Sequence, residues 1–131
     1  MLGVPPVPLP ESLDRRRRLE RLRWGLVPFF AKEPASSAPM INARAETAPE
    51  RPAYRAAFRR RRCLIPADGF YEWQRLLKRK QPWFIRMRDG NAFAFAGLWE
   101  RWEGREGSPL ESCTILTTEP NALLRPLHDR M

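Results

Sequence analysis

Residues 63–73 read CLIPADGFYEW. Cys63, Leu64 and Ile65 form an apolar run, Pro66 and the Ala67-Asp68-Gly69 triplet break it, and Phe70-Tyr71-Glu72-Trp73 resumes with rings. Apolar and aromatic runs bounded by Pro, Asp and Gly are the mark of short strands separated by turns. The stretch reads as one strand run, residues 63–65 and 70–74, kinked at Pro66. One carboxylate, Glu72, stands between two rings. A carboxyl group among rings loses hydration and keeps its proton to higher pH, which suits acid–base work.

Strand patterning continues downstream. Residues 76–81 read as a basic turn. Residues 82–88 alternate, with Phe84 set against Arg86 and Arg88, and Asp89-Gly90 is a hairpin signal. Residues 92–102 and 112–118 complete a meander around a Gly- and Glu-containing loop. Upstream, residues 50–61 read as a helix. Pro52 suits its first turn, Tyr54, Ala57 and Phe58 give one apolar face, and arginines fill the other. Residues 22–30 look like a strand ending at Pro28, and residues 32–39 like a loop of small residues and prolines. Residues 14–23 are mostly charged, with Leu19 and Leu22 spaced for a short helical turn. From Glu119 onward, Pro120 and Leu123-Leu124 read as the start of a further helix. No internal repeat is evident.

The 131 residues amount to one domain or part of one. A hydrophobic share of 43% supports a modest core. Fourteen prolines argue for strands and turns over long helices. The formal net charge is +9, and 21 of the 24 basic residues are Arg. The charge is blocked: Arg15 to Arg18 with Arg21 and Arg23; Arg51, Arg55 and Arg59 to Arg62, with no acid inside; and Arg75, Lys78, Arg79 and Lys80. Clustered guanidinium groups favour phosphate through paired hydrogen bonds and counterion release. Cys63 and Cys113 fall in apolar runs and read as buried, reduced thiols. With one histidine and two distant cysteines, no zinc site is expected. A glycine-rich phosphate loop and a serine nucleophile elbow are both missing. Residues 1–10, MLGVPPVPLP, lack the basic start of a secretory signal, and no run has membrane-spanning length. The expected place is the cytoplasm.

Three further segments join the opening one: WGLVP at 24–28, INARAET at 41–47 and LHDRM at 127–131. Together these resemble the SOS response-associated peptidase (SRAP) family, known for self-processing and for covalently capturing abasic sites in single-stranded DNA. The resemblance covers residues 22–131, the central part of the family's domain, with residues 1–21 as a Pro-rich, basic lead-in. It implies an α+β fold, mainly an antiparallel, partly barrel-like β-sheet with short helices, truncated at both ends.

By resemblance, Asn42, Glu72 and His128 form the catalytic set. Asn42 would help orient the nucleophile or the sugar, Glu72 would shuttle protons during ring opening and Schiff-base formation, and His128 would act as acid–base and sugar-oxygen ligand. Arg44, two residues from Asn42 and on the same face of a strand, would contact phosphate. Phe30 sits where the family carries an aromatic wedge, and Trp73 could stack on a base. Thr117 and Arg51 complete the expected DNA contacts. The family's nucleophile is a cysteine at position 2; here that position is Leu2, and Cys-Gly-Arg occurs nowhere in the sequence. The implied partner is single-stranded DNA with abasic sites, met by a monomer on the nucleoid without metal or cofactor. Three other readings stand beside this one: a non-catalytic single-strand binding module, a thiol hydrolase using Cys63 or Cys113 with His128 as base, and an inactive gene fragment.

Overall fold

The computed structural model describes residues 18–34, 39–104, 107 and 109–131. The lead-in at 1–13, residues 14–17 of the first basic block and residues 35–38 of the expected loop lie outside them.

The elements run β1 (Arg23–Trp24), β2 (Asn42–Arg44), α1 (Pro52–Arg60), β3 (Arg62–Ala67), β4 (Phe70–Arg75), β5 (Lys80–Ile85), β6 (Phe93–Trp102) and β7 (Leu110–Thr117). β7 organises the larger sheet. β6 pairs antiparallel along one edge of it, and β3 pairs antiparallel with β6 in turn. Along the other edge two short strands lie end to end and parallel to β7. β1 sits opposite Ser112 and Cys113, and β2 opposite Ile115, Leu116 and Thr117. The architecture is therefore α+β with a mixed sheet. That sheet is open, so the expected barrel-like closure does not hold: among the described residues β3 pairs with β6 alone and its far edge has no strand.

α1 forms where the sequence places it. Arg51 is the extended residue before the helix, Pro52 fills the first turn where no N–H is needed, and Arg59 and Arg60 complement the dipole at the last turn. Tyr54 and Ala57 turn inward and join Leu26, Ala43, Ala48 and Leu98 in the core.

Five expectations are corrected. Residues 63–65 and 70–74 are not one kinked run. β3 belongs to the main sheet, whereas β4 pairs with β5 in a separate two-stranded ribbon. Pro66 sits unkinked in β3 opposite Ala94, because an edge strand tolerates the missing N–H. The change of sheet happens at Gly69, where a Cβ would lie 2.3 Å from the Phe84 ring, so only glycine fits. The Asp89-Gly90 turn exists, with Gly90 at φ 74° and Asp89 bonded to Asn91, but it connects strands of different sheets and makes no hairpin. The hairpin is the one at the basic turn, where Arg75 faces Lys80. Residues 22–30 yield only β1 and a bridge from Leu26 to Met40, because Gly25 at φ 114° turns the chain. Nor does a helix follow Glu119. The Asn121 side chain accepts from the Leu123 and Leu124 N–H groups, and Pro126 breaks the run, leaving turns. Residues 18–22 form no helical turn either.

α1 and the ribbon lie on opposite faces of the main sheet. Successive strand residues point to opposite sides. Phe93 and Phe95 of β6 meet Phe70 of β4, with ring centroids 6.2 and 5.5 Å apart. Leu98, of the other parity, packs with Tyr54 and Ala57 of α1. Glu100, on the Leu98 side and only 2% exposed, is held by Arg61 at 2.7 Å and by the Arg101 N–H at 2.9 Å.

Leu98 is fully buried at the junction of sheet and helix. Leu98→Ala is expected to lower stability by about 2–5 kcal/mol in denaturant unfolding. A loss under about 1 kcal/mol would show that this junction is not the core.

Candidate active site and nucleic-acid interface

Glu72 and His128 are 56 positions apart in sequence, yet both line one open cleft of about 400 Å³, together with Trp73, Arg75 and Lys80. β4 is half of a ribbon, so its outer edge is free to meet the C-terminal segment. The Gln74 side chain donates to the Pro126 carbonyl across that gap at 3.3 Å. Gln74 and Glu72 share a strand face, and this contact brings His128 beside the carboxylate. Glu72 is half-buried. Tyr71 and Trp73 alternate to the other face of β4 and are 66% and 52% exposed, so the neighbouring rings do not enclose the carboxylate as the sequence suggested.

The C-terminal segment is tied down at several points. Thr118 and Met131 exchange backbone hydrogen bonds at 2.7 and 3.0 Å. Leu124 is buried. Arg130 reaches back to Glu46 with both Nη atoms, at 3.1 and 2.9 Å, and its Nη2 donates to the Thr117 carbonyl at 2.6 Å. The Arg130 N–H donates to His128 Nδ1 at 3.1 Å, and Asp129 lies 3.1 Å from the same nitrogen. The imidazole is thus oriented by its own neighbours, and these are anchored to β2 and β7 through Glu46 and Thr117. The Arg130 guanidinium, first through its hydrogen bond, holds the Glu46 carboxyl down at about 2.

Glu46 and Arg130 are the residues that sequence reasoning missed. Both stand inside the segments that carry the family resemblance. The signal was their opposite charge, but 84 positions separate them and nothing local pairs them.

The remaining expected residues fall around this arrangement. Asn42 and Arg44 are exposed on one face of β2 while Ala43 points into the core, as the strand reading required. Thr117, paired with Arg44, bonds to the Ala43 carbonyl at 3.5 Å and ties β2 to the C-terminal segment. None of these three lines the cleft. Phe30 is 55% exposed and meets Phe29 edge-on, on a segment held by the Trp102 indole's bond to the Ala31 carbonyl. Arg51 is the exposed residue just before α1. Neither thiol lines the cleft. Burial, with Cys113 nearby, pushes Cys63 up to about 11, and burial pushes Cys113 up as well. A thiol so seldom ionised is a poor nucleophile, which removes the support for a thiol hydrolase. Among the described residues no group of His, Cys, Asp or Glu could hold a metal ion, and no helix is long and apolar enough to cross a membrane.

Comparison with known proteins bears on what this arrangement does. The sequence model of the family described as SOS response associated peptidase (SRAP) matches residues 5–131. The chain is 54% identical over 115 residues to "Abasic site processing protein YoqW" of Bacillus subtilis, covering 87% of this chain and 51% of that one. It is 35% identical over 137 residues to "Abasic site processing protein HMCES" of Xenopus tropicalis, covering 88% and 41%. The chain therefore spans about half the length, or less, of these relatives. Two crystal structures share the fold: a Bacteroides thetaiotaomicron protein (TM-score 0.79, 31% identity, 84% of this chain and 51% of that one) and a Bordetella bronchiseptica protein (0.76, 32%, 84% and 58%).

The Glu46–Arg130 pair sets an acid limit. A carboxyl depressed from 4.5 to about 2 contributes stability that is complete above 4.5 and is lost as pH falls through about 2. Thermal melts between these values should show a steeper acid loss for the native chain than for Glu46→Gln. Parallel acid limbs would mean that the pair does not hold in solution.

Proposed function

The chain belongs to the SRAP family, and from that premise we propose that it recognises abasic sites in single-stranded DNA. The observation that carries this reading is the meeting of Glu72 and His128 in one cleft beside an exposed Trp73 and two cations, Arg75 and Lys80. An abasic sugar presents a hydroxyl and a ring oxygen with no base above them. Opening that ring requires a proton to leave the hydroxyl and another to reach the ring oxygen. A carboxylate and an imidazole on one cleft are suited to those two transfers. An exposed indole offers a stacking face to the neighbouring base without regard to sequence, and cations at the rim suit the phosphates.

On this reading Asn42 orients the reacting centre and Arg44 holds the strand beside the lesion, with Arg51, Thr117 and Phe30 as outer contacts. Recognition and proton transfer are the parts of the family's chemistry assigned to these residues, acting as a monomer on nucleoid DNA without metal or cofactor.

Fluorescence anisotropy with a single strand carrying one abasic analogue, against the intact strand, tests the reading. The abasic strand should bind more tightly. Asn42→Ala should cost the abasic strand about tenfold, one hydrogen bond's worth, and leave the intact strand unchanged. Arg44→Ala should weaken both alike and lower the salt slope by about 0.7. Equal affinity for the two strands would contradict the proposal.

A further inference from the structure

α1 carries charge that no acidic side chain among the described residues pairs. Arg55, Arg59 and Arg60 are exposed, and none makes a side-chain hydrogen bond or ion pair among the described residues. Other arginines in this chain are paired: Arg61 with Glu100, Arg101 with Glu103 and Glu111, and Arg130 with Glu46. The first turn of α1 contains no acid, and Arg55 and Arg59 are four apart, where like charges on a helix repel. The helix therefore bears a repulsion between side chains that only the dipole at its last turn offsets.

The arrangement is also concave. Arg55, Ala56, Arg59, Arg60 and Arg61 line a depression of about 190 Å³. Arg61, at the end of the helix, is turned inward by its 2.7 Å bond to Glu100 and closes one side of this hollow. The depression lies on the α1 side of the sheet, and the cleft of Glu72 and His128 belongs to the ribbon on the other side.

We propose that the arginine face of α1 is a second DNA-backbone site, separate from the cleft, which holds phosphates of the strand beyond the lesion. Identifying the polyanion as DNA rests on the function proposed above. Guanidinium forks match phosphate oxygens in pairs, and three or four of them around one hollow fit a backbone that passes without being read. A short strand would occupy the cleft alone, whereas a long one would reach both faces.

The test uses the full chain and its Arg55→Gln/Arg59→Gln/Arg60→Gln variant, since glutamine keeps helix propensity. Far-ultraviolet circular dichroism and a thermal melt confirm that the variant folds. Affinity is measured against salt for strands of about 6 and about 30 nucleotides, each with and without one abasic analogue. The variant should bind the short strand as the native chain does, and on the long strand its salt slope should fall by about 2, near 0.7 for each lost contact. An unchanged slope on the long strand overturns the second site. Equal loss on short and long strands also overturns it, because α1 would then act at the cleft. Abasic preference is read separately: its absence in the native chain contradicts the cleft reading, whatever the slope does.

Discussion

Everything in this molecule is referred to β7. It is the strand that joins the antiparallel and parallel parts of the sheet, with β6 along one edge and two short strands, which could not stand alone, sharing the other. β1 contributes two residues and β2 three. Ser112, Thr114 and Cys113 of β7 are buried, and the Ser112 hydroxyl accepts the Val27 N–H at 2.8 Å, fixing the chain just after β1. The last residue of β7, Thr117, presents its carbonyl to Arg130 and to the Ala45 N–H. One strand end thus anchors both the segment that carries Asn42 and Arg44 and the segment that carries His128.

From that anchor the site follows by short steps. Glu46 projects from the turn after β2 and captures Arg130. Arg130 positions the backbone around His128, and the Gln74 contact with Pro126 brings the free edge of β4 against the same segment. The cleft is therefore assembled by tertiary ties among three distant stretches. No single local motif builds it. This explains why a two-stranded ribbon, which is marginal by itself, can hold Glu72 in a fixed place. Phe70 packs the ribbon onto Phe93 and Phe95, and the C-terminal segment closes its edge.

Local chemistry was legible in the sequence and partnership was not. Pro52 and the Tyr54–Ala57 spacing marked α1, and strand alternation placed Asn42 and Arg44 on one face. Phe70-Tyr71-Glu72-Trp73 marked a strand. The sequence could not say that β3 and β4 belong to different sheets, because the deciding fact is a close approach of Gly69 to Phe84. Asp89-Gly90 has hairpin chemistry, but burial of Phe93 and Phe95 under Phe70 sends the next strand elsewhere. Residues after Glu119 looked helical until Asn121 and Pro126 are seen to cap and break the run. Glu72 and His128 were found by resemblance, and the cleft places them together. The Glu46–Arg130 tie required coordinates, because ion pairs across such a separation leave no local pattern.

The central claim is that the cleft of Glu72 and His128 receives the abasic sugar. The most direct measurement is an amide and indole NMR titration of the chain with a short single strand carrying one abasic analogue. The account predicts that the largest shifts fall on Glu72, Trp73 and His128, with the Trp73 indole among them and the α1 amides nearly still. Shifts confined to α1, with the cleft unmoved, would contradict it.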